Sequence, residues 1–89
     1  MDRNYDILKH IADKATSNGT TIDKLLAEFT NSQCEVSWHS DYGNIWERKY
    51  SKAGNLHSRG HWWSTERVDA FSTWIHEEHI FDAANPRWK

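Results

Sequence analysis

The apolar residues of this chain change their spacing twice, and that change limits what it can fold into. Leu8, Ile11, Ala12 and Ala15 fall at i, i+3, i+4 and i+7, with Ile7 beside them. Ile22, Leu25, Leu26 and Phe29 repeat the spacing. Each set forms one face of an amphipathic helix. At Glu35 the period drops to two: Val36 and Trp38 alternate with Glu35, Ser37 and His39, as in a half-buried strand. The helical period returns with Val68, Phe71, Trp74 and Ile75. Helices and strands thus lie in separate blocks, which is the signature of an α+β fold.

Local signals set the boundaries. Asp2 or Asn4 can cap a first helix over about 4–17, and Asn18-Gly19 can end it. Thr20 and Asp23 have the spacing of a capping box for a second helix, which Thr30-Asn31-Ser32-Gln33 terminates. The short join predicts an αα-hairpin or helix-turn-helix. Asp41-Tyr42-Gly43-Asn44 reads as a turn leading into a return strand from Ile45 to Ser51. The two faces of that strand are Ile45/Glu47/Lys49 and Trp46/Arg48/Tyr50. The second is more aromatic and neither is cleanly apolar. After a second turn at Lys52-Ala53-Gly54-Asn55, Leu56 to Trp63 reads as a third strand, broken or bulged at Gly60. Ser64 caps a third helix running to about His79. The expected fold is therefore α+β. It has two N-terminal helices, a small antiparallel β-meander of two or three strands over about 35–63, and a C-terminal helix over about 65–79. Residues 82–89 read as an extended tail, onto which Trp88 sits oddly.

Eighty-nine residues suit one domain. The hydrophobic fraction is only 37 %, but six Trp, three Tyr and three Phe supply the missing burial. Each such ring covers about 150–250 Å². Disordered chains are poor in these residues. Single Cys34 cannot form an internal disulfide. The polar N-terminus lacks the apolar run of a signal peptide, and no stretch is long and apolar enough to span a membrane. The expected location is cytoplasmic, with no membrane association.

Known catalytic patterns are missing. The glycines at 19, 43, 54 and 60 are scattered, so there is no phosphate loop, and Ile75-His76-Glu77-Glu78-His79 falls one residue short of a zinc-protease motif. A metal-free ribonuclease site would use His57, Arg59, His61 and Lys49 as acid, base and phosphate clamp, but no spacing fixes their geometry. Cys34, His39, His57 and His61 have the residue types for a tetrahedral zinc site, without the usual C-x2-C pair. The expectation is a non-enzymatic protein without a cofactor.

A binding surface is better supported. The net charge of −2 excludes a strongly basic nucleic-acid binder. Residues 36–63 nevertheless carry two more cations than anions, between ends that are each net acidic. Within that middle, Trp46, Arg48, Lys49, Tyr50, Arg59, His61, Trp62 and Trp63 interleave cations with rings. Trp, Tyr and Arg anchor protein interfaces. Rings beside Lys and Arg also bind single-stranded nucleic acid, which makes residues 46–63 a candidate RNA- or DNA-binding segment. Trp62 and Trp63 are adjacent, so in a strand their rings point to opposite faces, one free to serve the core while the other faces outward. The leading reading is a small inhibitor, adaptor or regulator that docks on another protein. A DNA-reading helix-turn-helix is disfavoured, since the second helix carries Asp23 and Glu28 against Lys24 alone.

Overall fold

The computed structural model describes residues 3–50 and 59–78. Helix α1 spans Arg3–Ser17 and α2 spans Ile22–Thr30. Strands β1, Cys34–His39, β2, Asn44–Lys49, and β3, His61–Trp62, follow, and helix α3, Thr65–Glu78, completes the order. This is the α+β arrangement expected, with the strands forming one antiparallel sheet in the order β1-β2-β3.

The helix ends follow from local chemistry. Gly19, at φ +79°, lets the amides of Gly19 and Thr20 reach back to the carbonyls of Thr16 and Ala15, which closes α1. Helix α2 is capped by Thr21, whose hydroxyl accepts from the Lys24 amide at 3.2 Å. The cap therefore lies one residue later than the Thr20–Asp23 spacing predicts. Asn31 and Ser32, at φ 57° and 58°, turn the chain sharply from α2 into β1. Ser64 caps α3 as expected, accepting from the Arg67 amide.

Six register pairs join β1 to β2, from Cys34 opposite Lys49 to His39 opposite Asn44. Trp46 pairs with Trp62 and Glu47 with His61 on β3. The ladder continues one step further, where the Trp63 amide donates to the Ile45 carbonyl at 2.9 Å. The third strand is thus shorter within the described residues than the expected Leu56–Trp63 run, and residues 51–58 lie outside them. Also outside are the tail at 82–89, Trp88 and His79.

The register decides which face is buried. Val36, Trp38, Ile45, Glu47 and Trp63 lie on the face toward the helices. Leu8, Ile11 and Ala15 of α1, Ile22, Leu25 and Leu26 of α2, and Val68, Phe71 and Ile75 of α3 bury against it. Phe29 sits at the centre of the ring packing, edge-on to Trp63, Phe71 and Trp74 at 5.3–5.9 Å between centroids. Burying one such aliphatic or aromatic side chain contributes about 1.5–3 kcal/mol. Among the described residues no helix is long and apolar enough to cross a membrane.

Candidate functional site

Strand alternation divides the sequence-predicted site residues between two surfaces. Trp46, Arg48 and Trp62 project from the outer face of the sheet, away from the helices. Lys49, His61 and Trp63 project to the inner side. Tyr50 lines a cleft beside Lys49, and Arg59 is exposed just before β3.

On the outer face Trp62 is the hub. Its ring centroid lies 5.0 Å from Trp46, 5.3 Å from His39 and 5.3 Å from Tyr42. Trp62 is 40 % exposed and Tyr42 is 71 % exposed. The Trp46 and His39 rings meet Trp62 at 75° and 87°, so the cluster is a set of edges and troughs rather than parallel plates. Gly60 packs against the Trp46 indole and the Arg48 stem, where any side chain would collide with both. The Arg48 guanidinium pairs with Glu35 on the neighbouring strand at 3.0 Å, so this cation is already engaged. Tyr42 was not among the expected site residues, and His39 was expected only as a zinc ligand. Tyr42 reads from sequence only as a turn residue, and its approach to Trp62 depends on a contact twenty positions away.

On the inner side an acidic residue occupies a core position. Glu47 is only 2 % exposed. Its Oε1 accepts from the Trp63 indole at 2.7 Å, and its Oε2 faces Arg67 at 3.4 Å. His61 lies 3.7 Å away. Burial pushes the Glu47 carboxyl up. The Cys34 thiol that donates to it, Arg67, the Trp63 indole and His61 together outweigh burial and leave it below the usual carboxylate range. The thiol moves oppositely: burial, and the carboxylate it serves, push Cys34 up to about 11. Cys34 is therefore protonated at neutral pH and a poor nucleophile. Arg67 lies over two rings, 4.9 Å from the Phe29 centroid and 5.2 Å from that of Trp63. A cleft of about 820 Å³ opens beside this cluster, lined by Cys34, Glu47, Lys49, Tyr50, Arg67 and the α2–β1 turn.

The proposed zinc set does not converge. Cys34 and His39 occupy opposite ends of the same six-residue strand, and His39 faces the outer surface against Trp62. Residues five apart in a strand are about 16 Å apart and on opposite faces. His57 lies outside the described residues. Among the described residues no group of three or more His, Cys, Asp or Glu is placed to hold a metal ion. Of the ribonuclease set, Lys49 and His61 share the inner side, whereas Arg59 lies in the exposed approach to β3.

Comparison with known proteins returned no relative: no family model, no curated protein and no solved structure matches the chain.

Proposed function

We propose that this domain is a non-enzymatic docking module that binds another protein through the outer face of its sheet, in the manner of an inhibitor, adaptor or regulator. The observation that carries the reading is the exposed ring cluster of Trp62, Trp46, Tyr42 and His39 on the face turned away from the helices. Large rings left at the surface of a small domain, with their edges solvated, are the usual anchors of protein interfaces. Trp62 and Tyr42 serve as anchors. The Arg48–Glu35 pair forms part of the polar rim, where it contributes orientation more than affinity. The reading also takes the domain to act in the cytoplasm, which the single unpaired cysteine supports.

Single-stranded nucleic acid is the second reading, and two features weigh against it. Base stacking needs ring faces that a base can cover, whereas these rings meet one another edge to face. Phosphate contacts need free cations, whereas Arg48 is engaged by Glu35.

The test is affinity recovery from the native host with the wild type, Trp62→Ala and Tyr42→Ala. The expected result is a stoichiometric protein partner with the wild type and none with either variant, both variants remaining cooperatively folded at the assay temperature. A partner recovered equally by both variants overturns the reading. So does binding of a single-stranded oligonucleotide at about 50 mM salt that Arg48→Ala abolishes.

A further inference from the structure

We infer that the cleft beside Glu47 is a binding site for a small molecule bearing an oxyanion, a phosphate or a carboxylate, held between Arg67 and Lys49. It is separate from the docking face and does not rest on it. Arg67 carries the argument. Its guanidinium is fixed over the Phe29 and Trp63 rings, yet its side chain is 39 % exposed. Among the described residues its one carboxylate partner is Glu47, at a long 3.4 Å. A guanidinium carries five donors in a planar fork that matches two oxygens of a carboxylate or phosphate. One long contact leaves much of that fork unused. Fixing the fork on two rings also means little ordering remains to be done when an anion arrives.

Lys49 supplies the second charge. It lines the same cleft as Arg67 and, among the described residues, has no ion-pair partner. Glu47, Lys49 and Arg67 line both the main cleft and a neighbouring hollow of about 410 Å³ that takes in His61. The charge balance of these three is one net positive. The negative member is the buried one, so a ligand approaching from solvent meets the cations first. Glu47 is then a positioning residue, which holds Arg67 and Trp63 in place from beneath. At about 820 Å³ the cleft is in the range of small-molecule sites, about 300–1,000 Å³. Asn31, Ser32, Gln33 and Tyr50 give it polar walls suited to a polar ligand body.

The experiment is an NMR titration of the intact chain, following the Arg67 Nε–H and the backbone amides of Ser32, Gln33 and Lys49. Inorganic phosphate and citrate are the probes, with sodium chloride as the ionic-strength control. Saturable shifts at these positions with phosphate, citrate or both are expected, and the probe that saturates names the oxyanion. Lys49→Ala should weaken binding about tenfold, as removal of one charge-assisted contact does. Because Lys49 is exposed, this variant leaves the core packing alone. Arg67→Lys, which keeps the charge and removes the fork, should also weaken it. Shifts that do not saturate, that match those with sodium chloride, or that persist unchanged in Lys49→Ala overturn the site.

Discussion

Glu47 stands where alternation calls for an apolar side chain, on the same face as Ile45 and opposite Val36. A buried carboxylate is tolerated only if its oxygens are satisfied. Here the Trp63 indole, the Cys34 thiol and Arg67 do so. The sequence shows Ile45, Glu47 and Lys49 as one of two faces. It does not show which is buried, because the aromatic weight favours the other and Arg67 lies twenty residues downstream. The consequence is a pH dependence of definite sign. The Glu47 pKa is lower folded than unfolded, so between the two values the unfolded chain holds the extra proton. Stability therefore rises with pH through that interval. The contribution is fully present above the unfolded value of about 4.3 and is lost as pH falls through the lower, folded one. Glu47→Gln keeps the shape and removes the charge. It should cost about 1–3 kcal/mol at pH 7, and the difference from wild type should shrink as the pH is taken from 5 to 3. Urea unfolding of both proteins across that range measures it. A difference that stays constant with pH would mean the carboxylate is not ionised in the fold.

The elements were legible in proportion to how local their causes are. The three helices follow from i, i+3, i+4 spacing and from caps within three or four residues, so their ends depart little from expectation. Thr21 replaces Thr20 as the cap because its extended backbone, at φ −136°, aims its hydroxyl at the Lys24 amide. Strand β3 is the opposite case: its pairing depends wholly on β2, fifteen residues earlier, and nothing in His61-Trp62 alone fixes two residues as its length. The turn between β1 and β2 shows how a local signal can hide a long-range one. Asp41-Tyr42-Gly43-Asn44 reads as a turn, and Gly43 does take φ +66° there. The same glycine is also where α1 meets the hairpin, since a Cβ on Gly43 would overlap the Tyr5 ring. Gly43→Ala therefore meets both a strained backbone and a collision, with an expected loss of about 2–3 kcal/mol. Thermal unfolding followed by circular dichroism reads it. A variant as stable as wild type would show that Tyr5 moves aside and that α1 does not lean on the turn.

The whole molecule is a sheet with two unlike faces, one packed on helices and the other carrying rings. Adjacent Trp62 and Trp63 state that division in two residues. Their opposite directions were legible from strand geometry alone, but their assignment was not, because it follows from which face of β2 is buried. Trp63 proves to be the core ring, 2 % exposed and bonded to Glu47, and Trp62 the outward one, 40 % exposed. Eight cation and ring positions along the chain form one candidate binding set, although strand alternation already sets Lys49 apart from Trp46 and Arg48, and Trp62 apart from Trp63. The sheet sends Lys49, His61 and Trp63 to the inner side and leaves Trp46, Arg48 and Trp62 to the outer. The pair also supplies an internal control on that architecture. Trp63→Ala opens a cavity among Phe29 and Phe71 and removes the 2.7 Å indole hydrogen bond to Glu47, so it should cost about 3–5 kcal/mol. Trp62→Ala removes only ring contacts at the surface and should cost about 1 kcal/mol or less. Denaturant midpoints of the two variants, measured side by side, give the comparison. Equal losses would mean that the outer cluster is a second core rather than an exposed surface, and the docking role assigned to Trp62 would fall with it.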